Sequence, residues 1–467
     1  MTKIEKKKLL EELVRAYRRK HRKSENFFAR ASRYQVKGGS HSLRLFDPFP
    51  FYDMVARGSR VKDVDGNEYI DYWQGHFANI LGHNPPQITK ALAETFHNGQ
   101  GLATGFPGCL QRELAELILK SVKADKLRFT TSGTLSTMYA VMLAMAATKR
   151  SIVMKVGGGW HGAHPFLLKG VTTYARGLSC LESAGLPPGT DSLTVVTRLN
   201  DIEDLEAKFK EYGERLACLI IEPFIGAGGF IFSKPEYLHR VRELTQAYGC
   251  LLIFDEVVSG FRFHAGGVQT LYGIQPDLSV FGKAIGGGMP VSAVAGREEI
   301  MALCGTEVAP EQRVKFEGGT FSAHPASILS GLIFLRHLIQ HQNKIYPRIG
   351  KLGDKVRRTI EEIFAAHGFY VRCTGYPNAA VKTSSLVGVH FMNEPVDKIE
   401  SPEQVWNQDL CDVEVREEIF KLAMLCEGIN IFHGFGAISA AHTEEDIQAS
   451  IDAVERVAKK WKRSLHS

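Results

Sequence analysis

The chain has 467 residues, 44% hydrophobic and 23% charged, an ordinary globular composition that argues against disorder and against a membrane protein. No apolar run reaches the about 18 residues of a spanning helix, and the charged N-terminus lacks the apolar core of a secretion signal, so neither a membrane nor a secreted protein is expected. The net charge is +6, but residues 1–23 hold ten Lys or Arg against three Glu, so the excess is confined to one short arm.

Taken in chain order, residues 8–34 read as a helix whose apolar stripe, Leu9, Leu10, Leu13, Val14 and Tyr17, favours a packed leading helix over an arm for nucleic acid. Val61–Ile70 reads as a hairpin around Asp65-Gly66-Asn67. Pro85-Pro86 opens a helix over Gln87–His97. Helix Leu110–Lys120 precedes strand Leu127–Thr130, and helix Thr134–Thr148 precedes strand Ile152–Val156. Strand Cys218–Ile221, helix Pro235–Tyr248, strands Leu251–Phe254 and Leu278–Phe281 and helix Pro325–Gln340 follow. This alternation predicts an α/β fold with a doubly wound, mostly parallel sheet. Helix Ile349–His367, strand Leu386–Phe391, expected half-buried, and helices over 413–427 and 444–463 then predict a smaller α+β domain that packs with the N-terminal segment. The expected division is 1–85, 86–340 and 341–467. Eight cysteines, none spaced as CxxC, fit a reducing compartment and buried thiols better than disulfides or zinc, and the cytoplasm is the expected location.

Ligands of doubly wound sheets gather beyond the carboxyl ends of the strands. The apolar run LLIF at 251–254 ends in Asp255-Glu256, where a buried carboxylate needs a cationic partner. The plain alternative there is a helix cap or an ion pair with Arg262. The run LSVF at 278–281 ends in Gly282-Lys283 and a glycine-rich loop. Desolvation lowers an ammonium's pKa and frees the amine to form an imine. A lysine nucleophile and an aspartate for a pyridinium nitrogen are the pair that pyridoxal 5′-phosphate chemistry requires. Thr131-Ser132-Gly133-Thr134 opens a helix and suits a phosphate, although Ser and Thr cap most helices. Trp160, in a glycine-rich loop, suits stacking on a planar cofactor or a place in the core. His161 and His164 lack a third ligand, so no metal is expected. Neither a P-loop nor a convincing dinucleotide fingerprint occurs.

Together these residues resemble the class III aminotransferases of pyridoxal-phosphate fold type I, and within them the glutamate-1-semialdehyde 2,1-aminomutases. The stretches VKDVDGNEYIDY and ILGH within 61–83, FDEVVSGFR at 254–262, GGVQTLYGIQPDLSVFGKAIGGGMPVSAVAGR at 266–297 and AHTEEDI at 441–447 carry the resemblance. It implies Lys283 as the Schiff-base lysine, Asp255 at the pyridine nitrogen and Val257 under the ring. It implies Ser132, Gly133 and Thr134 at the phosphate and Trp160 over the other ring face. Thr320 matches a threonine that reaches the partner's phosphate, so a homodimer with shared sites is implied. Arg44 lies where a substrate-carboxylate arginine is expected, and His76 replaces a pocket tryptophan. Leu135-Ser136 stand where the family has Glu-Ala, and Ala227 where the aminomutases have asparagine. Phe432–Phe435 is shorter than their loop.

The expected activity is transfer of an amino group between an amino acid or amine and a carbonyl acceptor through an internal imine on Lys283. Small, carboxylate-bearing substrates are expected, with neither nucleic acid nor membrane as a partner. An intramolecular 2,1-aminomutase is the alternative, with Met301–Gly318 as a gate. A racemase or decarboxylase on the same scaffold, or a non-catalytic binding protein, are the remaining readings.

Overall fold

The computed structural model describes residues 2–171 and 178–465. Near the N-terminus, strands β1 (Asp53–Arg57), β2 (Arg60–Asp63) and β3 (Glu68–Asp71) form an antiparallel meander. The hairpin expected over Val61–Ile70 is its second half, with Val61 opposite Tyr69.

The central sheet takes β4 (Lys126–Thr130), β5 (Ile152–Val156), β6 (Thr194–Thr197) and β7 (Leu216–Ile221). A small hairpin, β8 (Phe224–Ile225) and β9 (Ile231–Phe232), intervenes before β10 (Leu251–Glu256), β11 (Leu278–Phe281) and β12 (Ser292–Gly296). The order across the sheet is β4-β12-β11-β10-β7-β5-β6. β12 alone runs antiparallel to its neighbours; the other pairings are parallel. Every residue of β5, β7, β10, β11 and β12 is buried, because helices cover both faces. The doubly wound expectation holds. β6 and β12 were not foreseen: β6 has four residues and β12, Ser-Ala-Val-Ala-Gly, carries one β-branched side chain.

The C-terminal layer holds the antiparallel strands β13 (Val371–Thr374), β14 (Leu386–Phe391) and β16 (Phe435–Ala437). β14 is buried along its whole length rather than alternating. β15 (Ile429–Asn430) runs parallel to β3 and joins the two ends of the chain in one sheet. The leading helix reinforces that join. It spans Lys3–Lys20, buries Leu9, Leu13 and Tyr17, and pairs Lys6 with Asp412 at 3.1 Å and Glu414 at 2.9 Å. It ends at His21, which opens a second helix, Arg22–Ala31.

The helices expected over Pro325–Gln340 and Ile349–His367 are one helix, Pro325–Ala366, of 42 residues. It contains Pro347, which removes a backbone donor and ordinarily breaks a helix. Burial of Ile345, Tyr346 and Ile349 on either side of the proline outweighs that loss. The helix also packs on the turn after Lys283, where a Cβ on Gly331 would come within 2.2 Å of the Ile285 carbonyl oxygen. Among the described residues no helix is long and apolar enough to cross a membrane.

Candidate active site

The carboxyl ends of β10 and β11 deliver Asp255 and Lys283 to one place, since the two strands are paired in parallel. Asp255 is buried, and both its oxygens are engaged. Oδ2 lies 2.8 Å from His161 Nδ1, and Oδ1 accepts the Val257 N–H at 3.0 Å. The ion pair with Arg262 is not formed; that guanidinium donates instead to the Phe77 carbonyl. Glu256 faces away and caps a neighbouring helix, accepting the N–H groups of Val268 at 2.7 Å and Gln269 at 3.1 Å. The helix-cap alternative thus describes Glu256 and not Asp255. Burial lowers the His161 pKa and favours neutral imidazole, although Asp255 opposes the shift. His161 Nε2 has no partner among the described residues.

Lys283 opens the turn Lys283–Gly286 with φ of +44°. Burial lowers its pKa, against the attraction of Asp255 and Glu222. That desolvation is what an amine nucleophile needs. Glu222 accepts the Trp160 N–H at 2.8 Å and the Gly226 N–H at 3.2 Å. Burial, then the neighbouring Asp255, push its pKa up to about 8.

Val257 projects between two glycines. A Cβ on Gly133 would meet it at 3.1 Å and one on Gly282 at 3.2 Å. The backbone is therefore kept thin on two sides of this side chain, leaving room for a flat ring above it. Ser132 is exposed at the start of helix Gly133–Thr148, where its hydroxyl accepts the Leu135 N–H at 3.4 Å. Thr134 touches the loop carrying Trp160, since a Cβ on Gly162 would lie 2.4 Å from Thr134 Oγ1. The Trp160 side chain is 43% exposed, which removes its core reading. Ser136, at a departure from the family pattern, is buried and bonded to Thr130 at 2.7 Å and Ser292 at 3.0 Å. Ala227 and Thr320 are exposed. The residues of the Thr320 loop approach the phosphate-type turn of their own chain, because Gly319 lies beside Thr131.

Arg44 and His76 meet, with Arg44 Nε 3.1 Å from His76 Nε2. His76 belongs to a turn, Gln74–Phe77, whose four residues all have positive φ: 43°, 62°, 58° and 68°. This left-handed turn packs against the Lys283 turn. Asp71 pins its start, accepting the N–H groups of Trp73 at 3.0 Å and Gln74 at 2.9 Å. Burial, then the charges of His41, Arg44 and Lys283, bring the His76 pKa down to about 3. His41 stacks obliquely on His76, with ring centroids 4.7 Å apart.

A π-helical turn, Val415–Phe420, contributes Glu417, which binds His433 Nδ1. The other nitrogen of His433 lies 3.1 Å from the Leu43 carbonyl. His41, Glu417, His433 and Glu222 join the site without a motif in the sequence that assigns them to it. In the sequence, His161 reads only as a candidate metal ligand. The Glu-Pro pair at 222–223 is the one available signal for Glu222.

A profile of the family described as Aminotransferase class-III matches residues 47–376. Glutamate-1-semialdehyde 2,1-aminomutase of Methanosarcina acetivorans is 35% identical over 435 residues, 92% of this chain and 97% of that protein. The chain belongs to the class III aminotransferase family. It is a pyridoxal-phosphate-dependent enzyme of fold type I. An omega-transaminase from Sphaerobacter thermophilus superposes with a TM-score of 0.82 at 30% identity, covering 94% of this chain and 98% of that one. A glutamate-1-semialdehyde aminomutase from Pseudomonas aeruginosa PAO1 superposes at 0.84 over 99% of both chains with 18% identity, and shows the fold alone. The cradle of Gly133, Val257 and Gly282, the buried Asp255 and the desolvated Lys283 fit pyridoxal phosphate.

Proposed function

We propose that this enzyme is an aminotransferase, moving an amino group from an amino acid or amine to a separate carbonyl acceptor. When bound, pyridoxal phosphate supplies an aldehyde that captures the amine and a pyridinium ring that takes up carbanion charge. Lys283 Nζ would hold that aldehyde at rest, then take the proton from the substrate's α-carbon and deliver it to the carbon of the cofactor that bore the aldehyde, so that the nitrogen stays with the cofactor and water releases the carbonyl product. Asp255, held by His161 and the Val257 N–H, would keep the ring nitrogen protonated. Val257 would support one ring face and Trp160 cover the other. Ser132, Gly133 and Thr134 would hold the phosphate at the helix start.

The observation that carries the reading is the contrast between cradle and pocket. The groups that hold the cofactor fit it, while the turn packed on Lys283 carries His76, bonded to Arg44, and His76 and Ala227 stand in the sequence where the aminomutases have tryptophan and asparagine. Arg44 supports a substrate with a carboxylate. The 35% identity to an aminomutase favours a second reading, in which one amino-aldehyde is rearranged without a partner substrate.

The deciding experiment measures product formation from an amine donor with and without a keto acid. Turnover that requires the keto acid and follows ping-pong kinetics is expected; rearrangement of a single substrate at the same rate without it overturns the reading. Lys283→Ala is expected to abolish both turnover and borohydride trapping of pyridoxal phosphate.

A homodimer with shared sites is part of this proposal. Thr320 and its neighbour Phe321, 60% exposed, stand at the surface of one chain, as do Leu102 at 74% and Phe106 at 79%. Large apolar side chains exposed on loops suit a second copy. The eight cysteines are all free thiols, five of them buried and Cys109 exposed against expectation, which supports a reducing, cytoplasmic setting.

A further inference from the structure

We propose that His41 and His76 complete an oxyanion subsite with Arg44 beside Lys283, and that this subsite selects substrates bearing a carboxylate over those bearing a second cation. The inference rests on Lys283 being the reacting amine and adds two specificity-determining residues that the family pattern does not supply.

Hydrogen-bond roles follow by elimination. Arg44 Nε only donates, so His76 Nε2, 3.1 Å away, must accept, and a neutral His76 carries its proton on Nδ1. The Leu43 N–H donates to His41 Nδ1 at 3.3 Å, so a neutral His41 carries its proton on Nε2. Having committed Nε to His76, Arg44 keeps both Nη groups without a partner among the described residues, and no acid there lies within ion-pair reach of it. The acid that comes to this region, Glu417, is bound by His433 and Arg416. Both ring nitrogens of His433 are engaged, one by Glu417 and the other by the Leu43 carbonyl. The free polar groups of the cluster are thus all donors: the Nη edge of Arg44, His76 Nδ1–H and His41 Nε2–H.

Such a set accepts an oxyanion and has nothing to offer an ammonium. Burial lowers the pKa of both imidazoles, most strongly at His76, and the charge of Lys283 acts in the same direction on each. They therefore add donors without adding positive charge. The backbone bears a cost to place His76: three non-glycine residues of the turn are left-handed, a conformation that crowds the Cβ of an L-residue. Asp71 and Arg262 hold that turn from opposite ends. Strain maintained in this way at a site is a sign of function.

The test is titration calorimetry of the full chain with two probes that cannot form an imine: succinate, and choline as a cation. Succinate is expected to bind and choline not. His76→Asn and His41→Ala are each expected to weaken succinate about tenfold. Asparagine tolerates left-handed backbone, so the turn survives, and unchanged near-ultraviolet circular dichroism verifies this. Absent succinate binding to the unaltered protein, choline binding as tight as succinate, or variants that bind succinate unchanged would each overturn the proposal. Borohydride trapping of pyridoxal phosphate on Lys283, scored on the same preparations, separates the two readings: failed trapping with succinate binding intact refutes the role of Lys283 alone.

Discussion

Asp255 is held by two donors within 3.0 Å, so neither oxygen can turn away from its place. Replacing His161 by Leu removes one donor from a buried carboxylate and should cost about 1–3 kcal/mol of stability, read by chemical denaturation, together with weaker cofactor retention. At His76 the folded-state pKa of about 3 lies below the ordinary 6.5, so the unfolded chain takes up the proton first as pH falls. Native stability is therefore lost progressively between these two values, by at most about 1.4 kcal/mol per pH unit. The stability difference between His76→Asn and the unaltered protein should shift toward the variant across that window; a constant difference would refute the assignment. Lys283 and Asp255 are legible in the sequence because each follows a short, largely apolar run, LSVF and LLIF. His161 was not legible as the aspartate's partner, since 94 positions separate them. Nor was the link from His433 to Leu43, across 390 positions. The first pair exists only once β5 and β10 lie in one sheet, and the second only once the two ends of the chain share another.

Among the elements, the apolar periodicities gave most helices to within a residue or two. They failed where packing overrode local chemistry. Pro347 stands inside a continuous helix, and Gln-Gly-His-Phe at 74–77 adopts a left-handed turn that nothing but its glycine suggests. Gly331 on the long helix is the closest-packed of several contacts with the Lys283 turn, beside the Ser330 hydroxyl that donates to the Gly287 carbonyl at 3.0 Å. Gly331→Ala should force the turn away from the Ile285 carbonyl, at about 1–3 kcal/mol, with a matching rise in the dissociation constant for pyridoxal phosphate. A variant with unchanged stability and cofactor affinity would show that the turn yields freely. At the leading helix, Leu13→Ala should cost about 2–5 kcal/mol in thermal or denaturant unfolding, because this side chain is buried rather than carried on a free arm.

For the whole molecule, the proposed dimer makes a prediction that no single chain can meet. Heterodimers of a Lys283→Ala chain with a Thr320→Val chain would place both defects in one site and leave the other intact. Co-purified heterodimers should then hold about one unimpaired site per pair, counted by borohydride trapping and by activity, whereas sites built within one chain would leave none. The long helix bears on motion at the same scale. At about 1.5 Å per residue its 42 residues form a rod of about 63 Å that passes through both layers without a gap. A door cannot swing on an unbroken beam. Any swing of the C-terminal layer must bend this one where Pro347 leaves a carbonyl without its donor, so spin labels straddling that residue would register closure that labels flanking residue 340 would miss.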